Sequence, residues 1–185
     1  TGLTDGDYNV ILGKEAGLAL TTGANNTLLG YSAGMCVVDG ERNVMIGCNA
    51  GQCHVSGDDN TFISCYAGRC MCNGSSNIAI GQGALQGSST VSNNSGSRNI
   101  SIGKAAGSVV SSGGNNIFLG AYAGDATTTG NYNIAIGKGV DLPSNSGSSQ
   151  LAIGCDTSYW ITGDSSYNVK LANNCFAITA HAGSG

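Results

Sequence analysis

Asn133-Ile134-Ala135-Ile136-Gly137 is one copy of a phrase that recurs along most of the chain. Each copy begins with an amide side chain and continues with two usually apolar residues separated by a variable one. All copies but one end in glycine. The other copies span residues 9–13, 26–30, 43–47, 60–64, 77–81, 99–103, 116–120 and 150–154. The sequence is therefore that of a repeat protein.

The repeat has a fixed 17-residue period. A glycine precedes each copy, at positions 6, 23, 40, 57, 74, 96, 113, 130 and 147, and only the step from 74 to 96 is longer than the others. We number this glycine as repeat position 1, which places the amide residue at position 4, the apolar pair at positions 5 and 7, and alanine at position 11. A short fixed period predicts a solenoid or fibre in which each repeat contacts only its neighbours.

The composition also argues against an ordinary globular domain. The 185 residues include 31 glycines and one proline, and only 10% are charged, against about 25% in typical soluble domains. Disorder is not expected, because apolar residues recur at a fixed spacing. The net charge of −4 and the lack of a basic patch exclude a nucleic-acid partner. No apolar run is long enough for membrane insertion. We expect the chain to be a piece of a longer or processed polypeptide.

Each repeat is expected to form one coil of an all-β fold, a parallel β-solenoid. Positions 5 to 7 alternate as in a β-strand. A second short strand is predicted at residues 18–21, 35–38 and 108–111, with polar turns between strands. Residues 1–154 would then form a rod of about nine coils, and residues 155–185 a cap or a junction to a further module. Two or three inward apolar residues per coil make a thin core, so we expect the chain to associate with other chains.

A five-residue insertion interrupts the period within residues 85–95. Extra residues in a solenoid coil protrude as a loop, and such loops often carry binding. The alternative is a tolerated surface insertion without a role. The candidate contact residues of this loop are Leu85, Gln86, Ser88, Thr90, Asn93 and Asn94.

The eight cysteines fall mainly into two columns. Cys36, Cys53 and Cys70 share position 14, where other repeats carry Ala or Val, so this column is predicted to face inward. Cys48, Cys65 and Cys155 share position 9, where lysine is common, so this column is predicted to be accessible. Three interpretations of the cysteines stay open: buried thiols, disulfides (48–53, 65–70 or 53–65), and a metal site formed by Cys65, Cys70, Cys72 and His54.

The amide at position 4 is the most regular polar feature. Stacked asparagines are expected to hydrogen-bond along the rod as a structural ladder. The ladder comprises Asn9, Asn26, Asn43, Asn60, Asn77, Asn99, Asn116 and Asn133. No spacing singles out a catalytic carboxylate pair, so no enzyme activity and no cofactor are expected. Exposed tyrosines could stack on sugars.

The phrase at residues 77–81 and 133–137, followed by alanine or glycine turns, resembles the head repeats of trimeric autotransporter adhesins. The longer version with cysteines, and the tail phrase at 151–168, are similar to repeat fibre proteins of tailed phages infecting marine cyanobacteria. The serine that follows asparagine in the adhesin phrase is absent here. The resemblance implies a left-handed β-roll and a homotrimer, intertwined or side by side.

The resemblance also implies a function. We expect a structural and adhesive fibre of a phage virion, a tail fibre or related appendage, that presents a host-binding surface. Its partners would be itself, other virion fibre or baseplate proteins, and a host surface glycan or protein. One alternative is a trimeric adhesin head on a bacterial cell surface. A second is a tail spike that degrades polysaccharide.

Overall fold

The computed structural model describes residues 6–88 and 94–172, and its regular structure is built from short strands at repeat positions 5 to 7. Nine strands follow one another in parallel: β1 Val10–Leu12, β2 Thr27–Leu29, β3 Val44–Ile46, β4 Thr61–Ile63, β5 Ile78–Ile80, β6 Ile100–Ile102, β7 Ile117–Leu119, β8 Ile134–Ile136 and β9 Leu151–Cys155. Each strand pairs in register with the next copy, as Val10 does with Thr27. The predicted all-β solenoid is confirmed, with about eight turns.

The predicted second strand is wrong. Residues 18–21, 35–38 and 108–111 lie in or beside consecutive turns. The reason is the backbone at positions 10 and 12, where Glu15 and Gly17 have φ values of 62° and 55°. Left-handed residues two apart bend the chain repeatedly and prevent an extended strand. Neighbouring coils still exchange backbone hydrogen bonds here, as from the Ala19 N–H to the Met35 carbonyl at 3.0 Å.

Glycine at position 8 is required by close stacking. Gly13 has φ 138°, and a Cβ there would lie 2.3 Å from the carbonyl oxygen of Gly30 in the next coil. Ser64 is the exception to glycine at this position and has φ 110°. A serine in this region of φ is strained.

The interior of the rod is filled by positions 6, 11 and 15. The variable residue at position 6 is completely buried from the second coil onward, and alanine at position 11 packs beside it. Position 15 supplies a third inward side chain, such as Val37 or Met71. The side chain at position 6 is as large as Phe62 or Phe118 in some coils and as small as Ala79 in another. Large and small side chains at the three inward positions therefore complement one another in filling the narrow interior.

The apolar pair at positions 5 and 7 points away from this interior. Side chains alternate across a strand, so burial of position 6 places both of its neighbours on the outer face. Ile80 and Ile102 are 37% and 40% exposed.

After β9 the chain reverses. Strand β10, Ser158–Gly163, pairs antiparallel with β9. Strand β11, Val169–Leu171, pairs antiparallel with β10. This meander follows the last parallel coil, and the assignment of 155–185 as a cap or junction stays a prediction. Residues 6–88 and 94–172 include no helix with the length and apolar character of a membrane span.

Candidate functional site

The outer face of the nine parallel strands carries two unbroken rows of side chains, which we call the aliphatic strip. Sixteen of its eighteen members are Val, Leu or Ile, and the other two are threonine. The members are Val10, Leu12, Thr27, Leu29, Val44, Ile46, Thr61, Ile63, Ile78, Ile80, Ile100, Ile102, Ile117, Leu119, Ile134, Ile136, Leu151 and Ile153. None is charged, and none is fully buried.

The dimensions of the strip follow from strand geometry. Eight steps of about 4.8 Å between strands give a length of roughly 40 Å, and three residues give a width of about 10 Å. In-register pairing keeps the rows straight, and the pairing of Ile78 with Ile100 carries them across the insertion. Sheet faces in contact with water are normally polar, whereas this outer face is almost entirely aliphatic.

The sequence contains a signal for the strip that the strand prediction did not use. Positions 5 and 7 keep aliphatic residues of similar size, whereas position 6 changes from Phe to Ala. Alternation alone identifies two faces but does not say which one faces inward.

The asparagine ladder runs beside the strip and holds the coils in register. All eight predicted residues take part, and Asn99 shows the pattern. Its side-chain amide donates to the Gly113 carbonyl at 2.9 Å and to the Asn77 side-chain oxygen at 3.1 Å. Its own side-chain oxygen accepts from the backbone N–H of Asn116 at 3.0 Å. From Asn26 to Asn133, each asparagine therefore joins its own coil to both neighbours.

Gln150 ends the ladder at the last coil. Its backbone N–H donates to the Asn133 side-chain oxygen at 2.9 Å. The longer side chain turns to Ser144, accepting from its N–H at 2.8 Å and donating to its carbonyl at 2.9 Å. The side-chain amide thus bonds back to the coil that begins at Gly130, and the column ends there.

The insertion differs from its prediction at two residues. Leu85 and Asn94 are completely buried and cannot contact a host. Leu85 joins the core, and the Asn94 amide donates to the carbonyls of Cys70 and Ser88, both at 2.8 Å. Gln86 and Ser88 are half-buried, and for these two host contact stays a prediction.

Two other predicted contact residues, Thr90 and Asn93, lie outside the described residues. Nothing therefore tests their predicted contact with a host.

The position 14 cysteines do not face inward as predicted. Cys36, Cys53 and Cys70 are half-buried, because the consecutive turns direct the next residue, position 15, into the core instead. Cys48 and Cys65 are also half-buried, and Cys155 is exposed. All seven described cysteines are free thiols.

The proposed metal set is not assembled. His54 lies in the core, completely buried, with Nδ1 2.5 Å from the Met71 carbonyl oxygen and Nε2 2.8 Å from that of Gly57. Burial lowers the pKa of His54, against the opposite effect of the two carbonyls. In the described part of the chain, no three potential ligands are grouped to hold a metal ion.

Several tyrosines on the outer surface are paired with cations of the same or a neighbouring coil. Lys14 lies 5.8 Å above the ring of Tyr31, and Lys104 lies 5.4 Å above that of Tyr122. A cation on the ring face occupies a surface on which a sugar would stack. These tyrosines are therefore poorer candidates for glycan contact than the sequence predicts.

One carboxyl group has a raised pKa. Burial, and then the neighbouring Asp141, raise the pKa of Asp125. Two carboxyl groups that cleave a glycoside flank the sugar and are about 5 Å or more apart. A raised pKa alone does not place a sugar between these two residues.

Comparison of the chain with protein-family models, curated proteins and solved structures finds no match.

Proposed function

We propose that the chain is the rod of a homotrimeric fibre, part of an adhesive appendage of a phage virion. The aliphatic strip is the single observation that carries this proposal. Three copies meet along their strips and bury them around a common axis, and the rod then supplies length and stiffness. Its role is mechanical, without catalysis and without a cofactor.

A second copy of the chain is the occupant that best fits the strip. Identical chains present rows with the same spacing of about 4.8 Å along the same length, so their side chains can interdigitate from end to end. The strip has no charge that would repel its own copy. A globular partner would need a matching flat apolar face roughly 40 Å long.

The number three rests on the width of the strip and on sequence resemblance. Three strips only about 10 Å wide can converge on one axis and leave the turns of every coil exposed. The phrases at 77–81 and 133–137 resemble the repeats of trimeric adhesin heads. The side-by-side arrangement is favoured over an intertwined one, because each chain already completes its own core.

The turns outside the trimer axis are the surface offered to partners. Gln86 and Ser88 lie at the base of the insertion and remain partly exposed, so this is where we place contact with a host glycan or protein. Other fibre or baseplate proteins would continue the rod at its ends, where β1 has one strand neighbour among the described residues.

A trimeric adhesin head on a bacterial surface is the second candidate, and the resemblance of the repeat phrase to such heads favours it. The rod would have the same construction in both cases. Gold-labelled antibody against the rod distinguishes them: labelled particles support the virion appendage, and labelled cell envelopes without particles support the adhesin. The polysaccharide-degrading spike has no support from the Asp125–Asp141 pair.

Paired aspartate substitutions test the role of the strip. Ile80→Asp with Ile102→Asp puts charges on the strip, while Val38→Asp with Val109→Asp places them on other outward positions of similar exposure, 37% each. Sedimentation should give a trimer for the wild type and the valine variant and a monomer for the isoleucine variant. A trimer that survives the isoleucine substitutions would overturn the proposal.

A further inference from the structure

Four cysteines lie on two adjacent coils in matching positions. Cys48 and Cys53 belong to the coil that begins at Gly40, and Cys65 and Cys70 occupy the same two positions in the coil that begins at Gly57. In a solenoid stacked in register, each cysteine of the first pair lies directly against its counterpart one repeat later.

Backbone hydrogen bonds fix the spacing around the first column. The Ser64 N–H donates to the Ile46 carbonyl at 2.8 Å, and the Tyr66 N–H donates to the Cys48 carbonyl at 3.0 Å. These bonds continue the parallel ladder on both sides of Cys65, so the Cα atoms of Cys48 and Cys65 are about 4.8 Å apart. Disulfides span Cα distances of about 4.4 to 6.8 Å. Burial, and then the neighbouring Cys48 thiol, raise the pKa of Cys65.

The second column has the same geometry. The Cys53 N–H donates to the Arg69 carbonyl at 2.8 Å, which places Cys53 beside Cys70 in the next coil. Burial, and then the neighbouring Cys53 thiol, raise the pKa of Cys70. Cys36 adjoins Cys53 from the other side. Cys53 can form only one bond, and pairing it with Cys70 places both links between the same two coils.

We propose that Cys48–Cys65 and Cys53–Cys70 form two disulfides that staple these coils together in an oxidising environment. The pairing runs along the columns, and so differs from the 48–53, 65–70 and 53–65 alternatives left open by the sequence. The inference is independent of the proposed fibre function, since it concerns bonds within one chain.

The stapled coils carry two departures from the repeat. Ser64 replaces the glycine of position 8 in a strained backbone conformation, and His54 replaces an aliphatic residue in the core. Two covalent links would join the coils beside these departures. Because each bond closes a loop one repeat long, it restricts the unfolded chain.

The chemistry needs a disulfide oxidant such as oxidised glutathione. The Cys48 thiolate attacks the glutathione disulfide, forming a mixed disulfide and releasing one glutathione thiol. The Cys65 thiolate then attacks the Cys48 sulfur and releases the second, and the two protons of the protein thiols go to the two leaving thiolates. Cys53 and Cys70 react in the same way. Burial raises the pKa of Cys65 and Cys70, so formation should be faster at alkaline pH.

Peptide mapping of the folded chain tests the pairing. The chain is incubated with excess oxidised glutathione, and the remaining thiols are alkylated. Cleavage beside Asp58 and Tyr66 then separates Cys65 from Cys70 and both from the two earlier cysteines. Fragmentation in the mass spectrometer divides the peptide that holds those two, and each bond can be assigned to its own pair.

Serine variants check each bond separately. Cys53→Ser with Cys70→Ser should retain the Cys48–Cys65 link, and Cys48→Ser with Cys65→Ser should retain Cys53–Cys70. The matched control, Cys36→Ser with Cys72→Ser, should retain both.

The oxidised wild type should also melt higher than the reduced form by roughly 6 to 12 °C per bond, and a reductant should reverse the change. Links from Cys36 to Cys53, links within one coil, or stable glutathione adducts in place of the two bonds would overturn the proposal. The peptide map of the wild-type chain tests both disulfides even where a serine variant fails to fold.

Discussion

Substitution of Asn99 by alanine should be among the most destabilising single changes to the rod. Asn99 is completely buried. Alanine removes the acceptor of the Asn116 N–H, 3.0 Å away, and the donor to the Gly113 carbonyl, 2.9 Å away. Each buried backbone group left without a partner costs about 1–3 kcal/mol. The two together predict a loss of about 4 kcal/mol in unfolding free energy.

Denaturant unfolding at matched protein concentration measures this loss. Asn145 is exposed, so Asn145→Ala is the control and should change stability by no more than about 0.5 kcal/mol. Hydrogen exchange should locate the effect, with faster exchange at β6 and β7 than at β3. A loss below about 1 kcal/mol for Asn99→Ala would refute the reasoning, because it would mean that the ladder contributes little net stability.

Ser64→Gly should stabilise the chain by about 1–2 kcal/mol in thermal unfolding, because glycine accepts φ 110° without strain; unchanged or reduced stability would contradict this. Burial lowers the pKa of His54 below its ordinary 6.5. As the pH falls, the unfolded chain therefore binds a proton before the folded chain does. The free energy of unfolding should decrease below pH 6.5 by up to about 1.4 kcal/mol per pH unit. His54→Val, which copies Val37, should flatten that part of the pH profile, and an unchanged slope would exclude His54 as the cause. Phe118→Ala should lower the free energy of unfolding by about 3–5 kcal/mol, as measured by calorimetry. A loss below about 1 kcal/mol would show that the coil collapses into the cavity left by the ring.

The fold was predictable because the residues that determine it recur at a fixed spacing. A constant spacing requires equal positions to stack, and the asparagine at position 4 follows as a ladder with no further assumption. The same spacing groups six of the eight cysteines at two repeat positions. Each of these results depends on the period alone.

What the sequence did not reveal depends on backbone direction within a coil. Alternation at positions 5 to 7 predicted a strand but left open which face is buried, and the answer came from the tight turns that direct alanine at position 11 inward. Left-handed residues such as Glu15 excluded the second strand, yet they carry no strong sequence signal when they are not glycine. The same turns place position 15 inward in place of position 14, which explains why Cys36 is not in the core.

The insertion shows a second limit. Its length was clear from the longer step between the glycines at 74 and 96, but the use of Leu85 as a core residue was not. An insertion shifts the position at which the chain returns to the interior, and a leucine nearby is buried because burial of its side chain is favourable by about 1.5–3 kcal/mol.

The mass of the folded chain in solution tests the central claim most directly. Sedimentation equilibrium over a range of concentrations should give a single species of three times the 18.4 kDa of one chain, since three aliphatic strips would be buried against one another. A stable monomer of 18.4 kDa at all concentrations would mean that water covers the strip and would contradict the account.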